Sequence, residues 1–198
     1  MEFRMKEVES LETPQFLVNI PLERVGVLIG KNGSVKKMIE ERLGVELEID
    51  SHSGSVKIAL AKPIEEGGDP VALFKARDII EAIGRGFSPE RAFRLFSETG
   101  MLKIIRIDDY VKPTRNNLMR VRARLIGSEG KTRKIIEETT DTYISIYGDT
   151  VAIIGENEED VRAAEEAIVS LINGAPHTSV YRMLNEYSRM RKLRFVRR

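Results

Sequence analysis

Two glycines three residues apart, with a lysine between them, interrupt a helical pattern at Gly30-Lys31-Asn32-Gly33. Glycine lets the backbone turn sharply and leaves its amide groups open to a ligand. The N-terminus of a following helix carries partial positive charge and attracts phosphate. The chemistry these residues can do is therefore phosphate binding, and the presence of a further glycine at Gly26 raises the question of a nucleotide-binding loop.

The Walker A pattern of nucleotide-binding loops does not fit this segment. That pattern reads G-x-x-x-x-G-K-[ST], but the spacing from Gly26 to Gly30 is one residue short, and Asn32 stands where a Mg²⁺-binding hydroxyl is required. The corresponding stretch of a second copy, RARLIGSEG, lacks both the first glycine and the lysine. A nucleotide-binding loop is therefore not the feature that the two copies share.

The second copy repeats the segment without a gap. LIGKNGSVKKMIEERLGVELEI begins at Leu28, and LIGSEGKTRKIIEETTDTYISI begins at Leu125. Hydrophobic periodicity around each copy predicts a strand, a helix, the glycine turn, a second helix, two further strands and a last helix. In the second copy the first strand is predicted over LKIIRIDDYV. What the copies share is a helix, Ile-Gly-x-x-Gly and another helix.

This order of elements around a Gly-x-x-Gly loop resembles the type I KH module, whose loop clamps about four single-stranded nucleotides. The resemblance implies an α+β protein with two tandem type I KH domains. Each would be a three-stranded antiparallel sheet packed against three helices, and a basic C-terminal helical tail would follow. The expected boundaries are 12–87 for the first KH domain, 88–100 for a linker helix, 101–175 for the second KH domain and 176–198 for the tail.

The pairing of two KH modules with this linker and tail resembles one family, the partner-of-Nob-one type of small-subunit ribosome biogenesis factor in its compact archaeal form. The resemblance extends from about Glu12 to about Arg191. It implies a non-catalytic protein that binds single-stranded RNA at the 3′ end region of small-subunit pre-rRNA. It also implies that the protein acts together with the Nob-one endonuclease and, more weakly, that it contacts a translation initiation factor subunit.

The candidate RNA contacts are the two loops and the basic residues around them. Glu129 departs from the family loops, which often carry a basic residue there, and puts the second loop's contribution in doubt. Tyr143 and Tyr147 share a strand face and could stack on bases or pack against the other domain. The predicted RNA-binding set is Gly30, Lys31, Asn32, Gly33, Lys36, Lys37, Arg115, Arg120, Arg122, Arg124, Gly127, Ser128, Glu129, Gly130, Lys131, Arg133 and Lys134.

Composition argues against most catalytic chemistry. The chain has 198 residues, no cysteine and only two histidines, His52 and His177, which fall far apart in the predicted fold. We therefore expect no enzyme activity, no cofactor and no metal site. No apolar run is long enough for a membrane helix, and we expect a cytoplasmic monomer. The net charge of +1 hides a basic C-terminal half, as RNA binding requires.

Two alternatives stay open. The chain could be a KH protein of another pathway, such as RNA degradation or translational regulation. It could also be a protein–protein scaffold with vestigial RNA binding, which Glu129 favours for the second module. Lys31 and the basic tail favour RNA binding for the chain as a whole.

Overall fold

The computed structural model describes the backbone of residues 14–196 and the side chains of residues 14–193. The expected start of the first domain at position 12, and the last basic residues of the tail, Arg194, Arg197 and Arg198, lie partly or wholly outside the described residues.

The first module has the element order expected of a type I KH domain. The elements are β1 Gln15–Asn19, α1 Leu22–Ile29, α2 Ser34–Leu43, β2 Val45–Ile49, β3 Ser55–Leu60 and α3 Pro70–Gly84. Helix α2 ends at Gly44, whose φ of 65° closes the helix, and α3 begins after Asp69, whose carboxylate accepts a hydrogen bond from the Val71 amide. The sheet is antiparallel in the order β1-β3-β2.

The second module repeats this order, with an antiparallel sheet in the order β4-β6-β5. The predicted strand LKIIRIDDYV is shorter than expected: it ends at Arg106, which pairs with Thr150, the first residue of the partner strand, and Ile107–Asp109 form a 3-10 turn. The elements are β4 Met101–Arg106, α5 Arg115–Ile126, α6 Lys131–Thr140, β5 Tyr143–Tyr147, β6 Thr150–Gly155 and α7 Glu158–Ile172. The chain is thus an α+β protein of two KH domains.

A short linker and a long C-terminal helix complete the fold. The linker forms α4, Pro89–Ala92, and a 3-10 turn, Phe93–Phe96. The C-terminal helix α8, His177–Val196, packs against α6 and α7 and buries Val180 and Leu184 in the second core. Among residues 14–196, no helix combines the length and apolar character needed to cross a membrane.

The sheet of the second module is covered on both faces. One face packs on its own helices, and the other packs on α3 and the linker. Ala152 and Ile154 of the central strand belong to the hydrophobic core of the first module, and every residue of β6 is buried. The two modules therefore share one continuous apolar contact.

Polar contacts follow the same interface. Arg91 pairs with Glu137 at 2.9 Å, and Arg94 reaches both Asp141 and Glu156 at 3.3 Å. Both guanidinium groups lie over the Tyr143 ring, 4.8 Å and 5.1 Å from its centre. Linker arginines thus fix the first module to the second.

The two tyrosines of β5 pack between the modules, which was one of their two predicted roles. The Tyr147 hydroxyl donates a hydrogen bond to Glu23 of α1, and this bond lowers the pKa of the Glu23 carboxyl. Ser145, between the tyrosines, donates to the Arg85 carbonyl at 2.8 Å. The face of β5 that carries Tyr143 and Tyr147 is therefore occupied by the first module and the linker.

We expect Arg94→Ala to lower the free energy of unfolding by about 1–3 kcal/mol, since it removes two ion pairs and a stacked guanidinium from a site where only 17% of the side chain is exposed. Urea unfolding measures the loss. Arg106→Ala is the matched control, because it removes an exposed arginine–aspartate pair within the second module and should change stability less. Equal losses in both variants would contradict a role for Arg94 in joining the modules.

Candidate nucleic-acid interface

The two Gly-x-x-Gly loops have the same backbone conformation. Gly30 and Gly127 have φ/ψ of 72°/174° and 73°/176°, and the second glycines, Gly33 and Gly130, have 76°/12° and 75°/10°. The residues at the third position, Asn32 and Glu129, also match, at 54°/31° and 53°/29°.

Glutamate is less suited than asparagine to a positive φ. The second loop nevertheless keeps the geometry of the first with Glu129 in that position. The loop shape is therefore set by the glycines and by the packing around them, and not by the identity of the variable residues.

The two glycines of each loop serve different purposes. A Cβ atom on Gly30 would lie 2.5 Å from Val35 Cγ2 and 2.8 Å from the Val35 nitrogen. On Gly127 it would lie 2.2 Å from Thr132 Oγ1. At Gly33 and Gly130 a Cβ would meet no atom within 4 Å. The first glycine lets the loop close onto the next helix, and the second faces open space where a ligand backbone can approach.

In the first module, Lys31 and Lys37 present their charge to solvent. Lys31 is exposed and takes part in no ion pair within residues 14–193, and Lys37 has a 73% exposed side chain with a long pair to Glu41 at 3.6 Å. Lys36 is less available, because only 36% of its side chain is exposed, and it has a similar pair to Glu40 at 3.7 Å. Of the predicted cations here, Lys31 and Lys37 are best placed to meet phosphate.

The second module repeats this charge arrangement. Lys131 is exposed, and Lys134 is 72% exposed beside Glu138 at 3.8 Å. Arg133 lies 3.7 Å from Glu137, and its Nε is buried without a hydrogen-bond partner among the described atoms. Ser128 and Glu129 are exposed at the tip of the loop.

One shared contact was missed by the sequence analysis. Glu40 accepts a hydrogen bond from the Leu47 amide at 2.9 Å, and Glu137 accepts one from the Ile144 amide at 2.7 Å. In each module this glutamate ties the helix after the loop to the first residues of the edge strand. Its occurrence at the same position of both copies was the signal available in the sequence.

The arginines of α5 separate into two groups. Arg115 and Arg120 are exposed and form no ion pair among residues 14–193. Arg122 is half-buried and donates to the Leu118 carbonyl at 3.3 Å. Arg124 points inward and donates to two backbone carbonyls, Leu171 at 3.3 Å and Ala175 at 2.6 Å.

Arg24 forms the same kind of contact in the first module, donating to the carbonyls of Ile83 at 2.8 Å and Phe87 at 2.5 Å. These acceptors lie at the end of α3, as those of Arg124 lie at the end of α7. The charge of Arg124 is thus engaged in holding α5 against α7, whereas Arg115 and Arg120 remain open to a ligand.

A cavity of about 420 Å³ opens beside the second loop, between α6, the start of β5 and the linker. Three cations and four carboxylates line it, so it offers hydrogen-bond donors and acceptors together. Such a lining suits the polar edges of unstacked bases better than a row of phosphates. Its residues are Arg91, Glu129, Gly130, Arg133, Lys134, Glu137, Glu138, Asp141, Thr142 and Tyr143.

The basic residues of the C-terminal helix also differ in availability. Arg182, Arg189 and Lys192 are exposed. Arg191 instead pairs with the buried Asp160 at 3.0 Å. Tyr187 also donates to Asp160, and burial, followed by this bond, raises the pKa of the Tyr187 hydroxyl.

We expect Gly30→Ala to cost about 2–4 kcal/mol of stability, because overlap with the Val35 backbone adds to the strain of a positive φ. Gly33→Ala should cost about 1–2 kcal/mol from backbone strain alone. Thermal unfolding of both variants gives the comparison, with Gly33→Asn as a control that tolerates the left-handed conformation. Equal losses for Gly30→Ala and Gly33→Ala would show that the close approach to Val35 is not limiting.

Comparison with known proteins agrees with this geometry. A KH-domain family model matches residues 15–82, and a model of the second KH domain of PNO1 proteins, described as a eukaryotic-type KH domain (KH-domain type I), matches residues 101–189. A KH domain-containing protein of Methanocaldococcus jannaschii is 47% identical over 90% of this chain and 77% of its own length. The pre-rRNA-processing protein pno1 of Emericella nidulans is 30% identical over 90% of this chain and 68% of its own length.

Solved structures agree as well. Dim2p of Pyrococcus horikoshii is 48% identical, with a TM-score of 0.79 over 87% of this chain and 99% of that one. A complex from the same organism, described as a/eIF2alpha-aDim2p-rRNA, matches with a TM-score of 0.84, 48% identity and coverage of 93% and 99%. With two KH domains and relatives of this similarity, the chain belongs to the PNO1 family of two-KH-domain proteins.

Proposed function

We propose that this protein is a non-catalytic RNA-binding factor that recognises single-stranded RNA at the 3′ end region of small-subunit (pre-)rRNA and assists its processing and subunit assembly. The observation that carries the proposal is the matching backbone of the two Gly-x-x-Gly loops, each with an open second glycine and exposed lysines beside it. Relatives named as pre-rRNA-processing proteins supply the RNA pathway.

The loop geometry favours RNA binding over a scaffold role. At Gly33 and Gly130 the positive φ favours glycine, and a side chain would meet no atom of the protein but would block a close-approaching phosphate chain. The second loop keeps this geometry although Glu129 adds a negative charge. We infer that both loops contact the RNA backbone, the first more strongly because it carries Lys31.

The fixed contact between the modules supports binding of one RNA strand by both loops. Because β6 is buried against α3 and the linker, the two loops keep a constant separation. Two linked sites of modest affinity then act together through effective concentration, provided the strand can reach both.

A solved relative suggests two of the partners. A Pyrococcus relative has been solved with eIF2alpha and rRNA, and we propose an initiation factor α-subunit and rRNA as partners of this chain too. We further propose the Nob-one endonuclease as a partner, with cleavage supplied by that enzyme and none by this chain. We propose that the protein acts in the cytoplasm as a monomer.

Equilibrium binding tests the proposal. A labelled single-stranded RNA matching the 3′ end of small-subunit rRNA is titrated across a salt series, with a scrambled RNA of equal composition as competitor. We expect tight binding that the scrambled RNA does not displace. Equal binding of both RNAs, collapsing with salt, would indicate phosphate contacts alone and would overturn the proposed recognition.

Acidic loop variants test the mechanism. Lys31→Asp with Asn32→Asp should weaken RNA binding by about tenfold or more, because removing cations and adding carboxylates opposes phosphate binding. Both positions are exposed, so unfolding should change little. Ser128→Asp with Glu129→Asp should weaken binding less, since it adds only one charge.

Ala61→Asp with Lys62→Asp is the matched control, because it makes the same charge change as the Lys31 and Asn32 pair at an exposed bend after β3. Fluorescence anisotropy measures the affinities. If the control weakens binding as much as the first-loop pair, net charge rather than the loop accounts for the effect.

A further inference from the structure

The C-terminal helix α8 contacts both ends of the second Gly-x-x-Gly loop. Before the loop, the His177 ring donates through Nε2 to the backbone carbonyl of Arg124 at 2.9 Å. After the loop, the Tyr181 hydroxyl lies 2.9 Å from Thr132 Oγ1. His177 and Tyr181 are one helical turn apart on α8, so one face of this helix spans the loop from Arg124 to Thr132.

Each of these contacts reaches a group that shapes the loop. Thr132 Oγ1 is the atom nearest to the position of a Cβ on Gly127, at 2.2 Å, so this hydroxyl lies against the first loop glycine. Thr132 is only 2% exposed, which leaves Tyr181 as its hydrogen-bonding partner among the described residues. A bond that fixes the Thr132 rotamer therefore fixes the surface on which Gly127 rests.

The contact before the loop is reciprocal. The Arg124 guanidinium donates hydrogen bonds to the carbonyls of Leu171 and Ala175, at the junction between α7 and α8. The Arg124 carbonyl in turn accepts the hydrogen bond from His177. The last turn of α5 is thereby tied in both directions to the segment that starts α8. The first module has the Arg24 half of this arrangement, with no α8 counterpart among the described residues.

The first loop is supported in another way. Val35 occupies the position of Thr132 and packs on Gly30 through Cγ2, at 2.5 Å from the site of a Cβ. An aliphatic side chain fills this place without a partner, whereas a buried threonine hydroxyl needs one. The difference between Val35 and Thr132 is matched by the presence of Tyr181 beside the second loop alone.

We propose that His177 and Tyr181 of α8 are positioning residues for RNA binding by the second Gly-x-x-Gly loop. They act through Arg124 and Thr132 and hold the loop in the shape of the first loop despite Glu129. The consequence for RNA affinity rests on the proposed function, whereas the consequence for loop rigidity does not.

Tyr181→Phe tests the proposal, with Tyr187→Phe as its matched control. Both variants remove one hydroxyl from the same helix, but Tyr187 bonds to Asp160, at the start of α7 and away from the loop. We expect Tyr181→Phe to speed hydrogen exchange of the amides of residues 128–131 and to raise the Kd for RNA by about fivefold, the loss of one net hydrogen bond. Tyr187→Phe should leave the exchange rates of residues 128–131 and the Kd for RNA unchanged, even where it lowers the free energy of unfolding as much as Tyr181→Phe does.

The affinities are measured in the Lys31→Asp, Asn32→Asp background, so that the second loop dominates binding. Thr132→Val should weaken RNA binding less than Tyr181→Phe, because valine supports the first loop without a partner, and adding Thr132→Val to Tyr181→Phe should recover affinity, because no buried hydroxyl is then left unpaired. His177→Ala should act like Tyr181→Phe, whereas His177→Gln, whose amide can still donate to the carbonyl, should restore the affinity.

The outcomes separate the two proposals. If wild-type protein binds no RNA, the proposed function fails, and the exchange of residues 128–131 still decides the role of α8. If Tyr181→Phe and Tyr187→Phe change loop exchange and affinity equally, or if neither changes them, α8 is only a packing element and the positioning role is wrong.

Discussion

The contact between the sheet β4-β6-β5 and the helix α3 is the constraint on which the rest of the structure depends. Helix α3 buries apolar side chains on more than one side, including Ala76, Ile79, Ala82 and Ile83, whereas its charged residues are only partly buried. A single sheet covers a helix on one side only, so the apolar side chains on another side of α3 need a second partner. The second module supplies the other cover, with Leu102, Ile104, Ala152 and Ile154. A chain with the first module alone would leave this side of α3 in water.

The two sheets differ accordingly. The outer face of the first sheet carries Gln15, Asn19, Glu46 and Glu48, all exposed, with Leu17 as its one large apolar side chain. The corresponding face of the second sheet carries mainly apolar and aromatic side chains. This difference explains why the modules stack in one order, with helices of the first against the sheet of the second, and why the stacking stops at the first sheet. The position of each loop in the molecule follows from that order.

Much of the fold within each module could be predicted from the repeat. The register from Leu28 to Ile49 gave the loops, the helices around them and the sheet class, because hydrophobic period and glycine spacing are local properties. The contacts of a side chain that could pack in two ways could not be predicted, because they depend on residues distant in the sequence. Tyr143 could equally stack on a base or on an arginine, and the choice was made by Arg91 and Arg94 of the linker.

Arg124 shows the same limit of sequence reasoning. It stands in a row of basic residues before the loop, and its spacing does not distinguish it from Arg120 or Arg122. Only the folded chain brings the Leu171 and Ala175 carbonyls within its reach. The strand LKIIRIDDYV likewise reads as continuous, but it ends at Arg106 because its partner strand β6 begins at Thr150, the residue that pairs with Arg106.

The charges near the loops explain how a protein with a net charge of only +1 can bind RNA. Four cations on α2 and α6 each have a glutamate one turn later: Lys36, Lys37, Arg133 and Lys134. Such pairs are weak in water, so a phosphate can compete with them at close range, whereas the two opposite charges of a pair cancel at distances much larger than their separation. A surface of this kind attracts polyanions weakly in general. It gains affinity where the open glycines let the phosphate chain approach closely, so loop geometry positions the strand, and contacts to the bases beside the loops select its sequence.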